Sequence, residues 1–522
     1  MLTESTNEQE YKSTGPASVM QTEMVESKED TESTRMHVRE EFVEILMSSN
    51  VARDSTKGIE PTKKQARMIR LIEGRMNKLF TDKLNSEDAK SDDTIALAQS
   101  YLHISQIYND VIWKDTSEAY LLRALGLLEG RETTRKAILT AMKVHNCLGA
   151  IYTDLKNPKR SLSFYEKAFL LYWTYTNKKD SYPAPIDILY VFGVVTKEFQ
   201  SGYSLDSQYM LTLTKLIQLH THMDEHQSIT IIYQHMLLQK QVRLIPLTIG
   251  RTEWALKAAT ISEYLSMHNR FTEARSHLGI AFYMLNKFYR DEYGKIDGTK
   301  FPEIKTSLYN QYRNAAAYTN IYAAQYGIAL LRSSKDRQFE EENKQRETKS
   351  ESLTTFEQKL PDFLVFTSTS NVEEEFNIWI TDKYLANYND AKAVFSNVLR
   401  CLNEVWSYKI NMIYPEIQID ILLKMSQACR YLACYEQNGN KQVMLHLWRL
   451  DILKNATKLF NKDNKKHEKL ILLELAVTHV TVLDIYLDEL HFYQKSKPDS
   501  SPNMSHYVKN ALVNFMSYLD LA

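Results

Sequence analysis

Glycine and proline are scarce in this chain, at 14 and 11 of 522 residues. A strand-rich fold needs many tight turns, and turns draw on these two residues. The scarcity therefore argues against a β architecture. Cysteine is rarer still: Cys147, Cys401, Cys429 and Cys434, with no CxxC pair. All four sit in apolar helical patterns, which predicts buried, reduced thiols, as in a cytosolic protein, and disfavours a disulfide framework. Charge of one sign is missing too. The net charge of −1 supplies no basic field for nucleic acid. The N-terminus has no apolar stretch resembling a signal peptide, and no run is expected to approach a membrane span. The expectation is a cytoplasmic protein without membrane insertion.

What is present points to helices. Apolar residues make up 43% and charged residues 25%, the mix of ordinary globular material. Tyrosine is abundant at 32, and helical repeats place Tyr rings between helices with the hydroxyl at the wet edge. The length alone suggests about three to four domains. A solenoid escapes that estimate, because it grows by adding units.

The most informative stretch is Glu253 to Phe288, EWALKAATISEYLSMHNRFTEARSHLGIAFYMLNKF. Ala255, Ala258, Ala259, Ser262 and Leu265 share one helical face, and most are small. After the polar break His268-Asn269-Arg270, Phe271, Ala274, Leu278, Ala281, Phe282 and Leu285 recur at 3/4 spacing. Small residues permit close approach, so the pair reads as an αα-hairpin. A second copy lies at Met142 to Tyr175. With Met142 placed on Ala255, Leu148-Gly149 meets Ile261-Ser262, Tyr152 meets Leu265, Ser161 meets Ala274, Tyr165 meets Leu278 and Ala168 meets Ala281. These are the offsets of the roughly 34-residue tetratricopeptide repeat.

In chain order, residues 1–36 are polar and charged and are expected to be a disordered tail. A helical lobe is expected over 37–332. It opens with a short helix at Val38 to Met47 and a flexible connection from Asn50 to Pro61. Lys63 to Leu84 reads as a helix with a solvated basic face. Hairpins follow at Ile95–Leu128 and Thr134–Tyr175, then helices at Leu189–Phe199, Ser207–Met223 and Ser228–Val242. Lys305 to Leu331 reads as a long Ala-rich helix. A charged linker, helical or extended, is expected over 333–372. A second helical lobe is expected over 373–522, starting with a helix at Glu373 to Tyr384 and ending with an amphipathic helix at Tyr507 to Leu521.

Catalytic and cofactor motifs are missing. GKIDGTK (Gly294 to Lys300) lacks the glycine spacing of a phosphate loop, and there is no GxGxxG, GxSxG or HExxH. His222 and His226 share a helical face, which could hold a metal, but no third ligand stands at a defined spacing. They read as exposed helix-end residues. No enzyme, cofactor, metal or small-molecule substrate is expected. The remaining physical role is binding, on the long surface that a row of hairpins offers.

Several blocks resemble the kinesin-binding protein family, also called the KIF-binding protein family. EWALKAATISEYLSMHNRFTEARSHLGIAF (Glu253 to Phe282) resembles it closely. HNCLGAIYTDLKNPKRSLSFYEKAFLLY (His145 to Tyr172), ITDKYLANYNDAKAVFSNVLRCLNEV (Ile380 to Val405) and SYLHISQIYNDVIWKDTSEAYLLRALGLL (Ser100 to Leu128) are similar to it in the same order. The resemblance covers roughly Ser100 to Leu432. It implies an all-α, right-handed α-solenoid of tetratricopeptide-like hairpins in two lobes. It implies a non-enzymatic protein that grips the motor domain of a subset of kinesins and keeps them off microtubules. Roles in axon growth and in organelle and mitochondrial transport follow by the same resemblance, as does association with the cytoskeleton.

Within that family, polar residues of the helix matching Trp254 to Leu265 face the motor. The resemblance therefore makes Thr260 and Glu263 the candidate partner-binding residues. Thr260 keeps the family residue, whereas Glu263 stands where a glutamine is expected. The preceding motor-facing helix maps near Leu216 to Leu219, where the family's Tyr and Gln are not retained. A carboxylate has a physical rationale: kinesins hold acidic tubulin through basic side chains, and an acidic groove would compete for them.

Three other readings remain. A co-chaperone scaffold binding partner C-termini needs Lys, Arg and Asn on the first helix of each repeat. Those positions carry Asn146 and Ala150 in one copy, and Ala259 and Glu263 in the other. An RNA-binding repeat needs basic stripes. A helical enzyme needs a polar pocket.

Overall fold

The computed structural model describes residues 36–56, 60–84, 92–110, 114–177, 182–194, 201–223, 227–242, 250–346, 364–366, 381–408, 415–460, 465–492 and 504–521. Among them every regular element is a helix, so the all-α class holds. The packing divides into two units between Thr212 and Leu213.

The first unit contains α1 (Glu40–Thr56), α2 (Lys63–Leu84), α3 (Asp93–Asp110), α4 (Lys114–Leu128), α5 (Ile138–Asp154), α6 (Pro158–Thr176), the single turn α7 (Ile188–Val191) and the start of α8 (Ser201–Met223). Helices α1 and α2, α3 and α4, and α5 and α6 pack as hairpins. In addition α3 packs on both α1 and α5. The first helix of each hairpin thus touches the first helix of the next, which is how a helical repeat buries faces that no single hairpin could cover.

The second unit repeats this logic. It holds α9 (Gln227–Gln241), α10 (Arg251–Met267), α11 (Phe271–Phe288), α12 (Pro302–Arg346), α13 (Tyr388–Ser407), α14 (Pro415–Ala433), α15 (Gly439–Thr457), α16 (Lys465–Phe492) and α17 (Met504–Asp520). The pairs α10–α11, α12–α13, α14–α15 and α16–α17 pack together, and α12 packs on both α10 and α14.

The backbone confirms the repeat register. Among the described residues only two non-glycine residues take a left-handed φ: Lys156 at 55° and Asn269 at 58°. They occupy the same position in the two copies. In both, the next amide closes the helix end onto the same equivalent carbonyl: Asn157 N–H to Tyr152 O at 2.9 Å, and Arg270 N–H to Leu265 O at 2.9 Å. This six-to-one bond satisfies an orphan carbonyl at the helix end. The repeat positions are buried in both copies: Tyr152, Ser161, Tyr165 and Ala168 in one, Leu265, Ala274, Leu278 and Ala281 in the other. Gly149 lies against Tyr165, where a Cβ would stand 2.7 Å from the ring.

Small side chains set the spacing. Ala315, Ala316, Ala317, Ala323 and Ala324 of α12 are all buried. A Cβ on Gly327 would lie 2.5 Å from Val398 Cγ2 of α13.

Several expectations are corrected. Helix α1 continues through Asn50 to Thr56, where a flexible connection was expected. Its polar residues are absorbed, with Ser49 Oγ 3.0 Å from His103 Nδ1 and Thr56 Oγ1 donating to Ala52 O at 2.8 Å. Helix α12 continues past Leu331 to Arg346, supported by the i,i+4 pairs Arg332–Asp336 and Arg337–Glu341. Of the two forms expected for the charged linker, residues 333–346 take the helical one. Residues 381–384, expected to finish a helix, are irregular. In the described part of the expected helix over Leu189–Phe199, residues 189–194, the helix is the turn α7, followed by Gly193 at a φ of 65°. Cys401 and Cys429 are buried, and burial pushes both thiols up to about 12. Cys434 is exposed, because α14 ends at Ala433 and leaves it in a turn. The tail 1–35 and residues 195–199, 226, 347–363 and 367–380 lie outside the described residues.

A helix long and apolar enough to cross a membrane, by length and composition, does exist: Lys465–Asp488 within α16. Glu474 and Asp484 interrupt that run when it is read as a string but hardly lower its average. In this fold α16 packs on α15 and α17, and Glu474 pairs with Arg449 of α15.

Two expected outcomes follow from this packing. Gly327→Ala should destabilise by about 1–3 kcal/mol through overpacking, and Val398→Ala in the same chain should recover part of that loss. A denaturant-based double-mutant cycle measures it, and strict additivity would show that the two residues do not compete for space. The second concerns pH. Burial lowers His235 to about 4 and His277 to about 3, the latter also opposed by His235; burial takes His145, His446 and His479 to about 4. These bases fold neutral, while the unfolded chain takes up protons from a pH near 6.5. Their favourable state is intact above that value and is lost as pH falls toward 4. Tm should drop over that window, and His277→Met should make the drop shallower. An unchanged slope would remove His277 from the account.

Candidate partner-binding groove

The first helices of three successive hairpins, α10, α12 and α14, line one open groove of about 550 Å³. Glu263, Ser266 and Met267 come from α10. Gln325, Ile328, Arg332 and Asp336 come from α12. Lys424, Gln427 and Tyr431 come from α14. The walls approach because each helix presents small residues toward the hairpin interior, Ala258 and Ala259 on α10 and Ala323 and Ala324 on α12, all buried. The polar groups on the other side are left to face the groove.

The charges in the groove are mostly spoken for. Arg332 and Asp336 pair at 3.5 Å. Lys424, almost fully buried, pairs with Asp420 at 2.6 Å. Ser333 Oγ lies 2.6 Å from Asn269 Oδ1. Among the described residues Glu263, alone of the charged lining residues, has no ion-pair partner, while half-buried on the wall. Gln325 Oε1 is buried with no hydrogen-bond partner. The groove therefore offers one uncompensated carboxylate and one orphan carbonyl oxygen, both acceptors, beside the apolar Ile328 and Met267. Such a site suits a partner that brings donors or cations along with apolar side chains.

Of the two candidate residues, Glu263 is in this lining. Thr260 sits one turn earlier on α10 and is exposed, but it is outside the lining, and its Oγ1 donates to Leu256 O at 2.9 Å. Arg332, Asp336, Lys424 and Tyr431 escaped the sequence reading. They lie far along the chain from Glu263, and only hairpin stacking brings them together.

Other candidates resolve differently. Asn146, the potential clamp residue of a co-chaperone, is buried. Its Nδ2 donates to Gln208 O at 3.2 Å, and its Oδ1 accepts from Thr212 Oγ1 at 2.8 Å. That side chain is consumed internally, which opposes the co-chaperone reading. His222 is exposed near the end of α8, and no group of three or more His, Cys, Asp or Glu among the described residues could hold a metal. The tyrosines behave as expected of inter-helix rings. Tyr108 and Tyr120 stack, and both donate to Glu73, at 2.6 and 2.9 Å.

Fold and groove together define an all-helical repeat protein with a binding surface on the first helices of its hairpins. Residues 252–522, half of the chain and all three groove helices, match the family described as KIF-1 binding protein C terminal. The chain belongs to that family. It is similar to the KIF-binding protein of Danio rerio, 22% identical over 456 residues, covering 82% of this chain and 68% of that protein. It is also similar to those of Gallus gallus, 22% identical over 70% of this chain and 62% of that protein, and Drosophila melanogaster, 23% identical over 62% and 52%. A solved structure of "Kinesin binding protein (KBP)" aligns over 91% of this chain and 96% of that one, with 15% identity and a TM-score of 0.35.

Proposed function

We propose that this chain binds kinesins through the groove of α10, α12 and α14, taking up the motor domain and preventing its attachment to microtubules. Membership of the family and the names of the relatives support a kinesin partner. The observation that carries the site is the unpaired Glu263 carboxylate on the groove wall. A motor surface that binds acidic tubulin is basic, and an uncompensated acid complements it at little desolvation cost while partly exposed. Thr260, exposed one turn away on the same helix, extends this contact. By this reading the protein is a cytoplasmic, cytoskeleton-associated regulator of microtubule-based transport, with consequences for organelle and mitochondrial distribution and axon growth. It performs no catalysis and takes no nucleic acid, cofactor or small-molecule substrate.

The test is microtubule co-sedimentation of several kinesin motor domains with and without the full chain. At least one motor should remain in the supernatant with the chain present. Glu263→Lys should weaken that effect by about tenfold or more and leave Tm nearly unchanged, because Glu263 has no folded partner to lose. Glu263→Gln should fall between. If no motor is released or captured, kinesin binding is refuted. If motors are released and Glu263→Lys acts like the parent, the groove assignment alone fails.

A further inference from the structure

The last described hairpin, α16–α17, carries an apolar face that no described residue covers. In α17 the sole buried residue is Ala511. Val508, Leu512, Val513, Met516 and Leu519 are between 42% and 65% exposed. At about 100° per residue, Val508, Leu512, Met516 and Leu519 fall within an arc of about 80°. This is a continuous stripe and not scattered surface residues, which would need no explanation. The comparison with α2, the second helix of the first hairpin, is direct. That helix turns Lys63, Lys64, Arg67, Arg70, Arg75 and Lys78 outward. On α2 the exposed Leu71 and Met68 are set among these cations, whereas on α17 the apolar residues adjoin one another.

The order of residues on the stripe identifies what fits it. Set the helix against a reversed copy of itself and Val508 opposes Leu519, Leu512 opposes Met516 and Lys509 opposes Asp520. The midpoints of these three pairs all fall at position 514 to within half a residue. Lys509 and Asp520 lie on the same flank of the stripe, so an antiparallel two-fold places each beside the other's counterpart. A parallel pairing would not. Among the described residues neither Lys509 nor Asp520 has an ion-pair partner. The face is therefore self-complementary in both apolar and charged residues, as a two-fold interface must be.

We propose that α17 is a homodimerisation helix, packing antiparallel against α17 of a second copy of this chain. The interface is one helical face about 25 Å long. It falls short of the roughly 800 Å² per partner of a standard stable interface, so association is reversible and concentration-dependent. The proposal stands apart from the kinesin reading, since it uses none of the groove residues.

Sedimentation equilibrium of the full chain over a wide concentration range tests it. The expected result is a monomer–dimer equilibrium. Leu512→Glu should raise the dissociation constant by about tenfold or more, with far-UV circular dichroism and Tm unchanged because the side chain is exposed. Lys509→Glu should weaken the dimer, and Lys509→Glu combined with Asp520→Lys should restore it. This rescue keeps the test informative even if Leu512→Glu harms folding. A parent chain that stays monomeric throughout overturns the proposal. So does a dimer indifferent to both substitutions. A monomer that floats with phosphatidylcholine vesicles, and loses that with Leu512→Glu, would make the stripe a membrane contact and overturn it equally.

Discussion

Close approach through small side chains is the constraint from which the architecture follows. Gly149 against Tyr165 and Gly327 against Val398 leave no room for even a methyl group. The buried alanines of α10 and α12 extend the same condition along both helices. A helix that can be approached this closely on one side packs on its own hairpin partner and on the next first helix at once. Stacking then proceeds with no long-range pairing beyond neighbours. The turn between the helices is the second half of the rule. A left-handed residue at Lys156 or Asn269 and a six-to-one bond close the helix with the same geometry in both copies, so successive hairpins leave their turns alike.

The same rule creates the groove. First helices stack on first helices, and whatever polar residues they carry away from the small-residue face accumulate on one surface. Most of the charge there is neutralised within a single helix, by Arg332 with Asp336 and by Lys424 with Asp420. These pairs tie the groove's electrostatics to helix spacing: i,i+4 partners cannot be redirected to a ligand without losing each other. Glu263 differs because its own helix gives it no cation at that spacing. Its charge is the part of the groove left to a partner.

Buried polar groups elsewhere are handled with equal economy. Asn146, at the clamp position of the first repeat copy, is held by Gln208 and Thr212. His235 and His277 lie 3.1 Å apart, with the edge of Phe366 on both rings, in a site that keeps them neutral. The lone described segment between α12 and residue 381 is thereby pinned: Leu364 and Phe366 are buried, Phe366 against histidines of α9 and α11. Part of the chain expected to be a linker is thus an element of the core.

By itself, the sequence determined what depends on neighbours three and four residues apart. It specified the helices, because their faces are written in that period. It specified the register of the two repeat copies, because small residues and the turn at Asn269 recur at a fixed offset. Glu263 was legible as a candidate through the family resemblance of its helix. The tertiary structure decided what depends on residues far apart in the chain. Whether Asn50–Thr56 and Ser333–Arg346 stay helical was hidden, because local charge and polarity fit either outcome until tertiary bonds and i,i+4 pairs select one. Cys434 looked like its buried neighbours until the end of α14 left it in a turn. The groove was invisible for the same reason: its walls come from three helices whose meeting is set by stacking, and no local pattern records which residues of α12 and α14 will stand opposite Glu263.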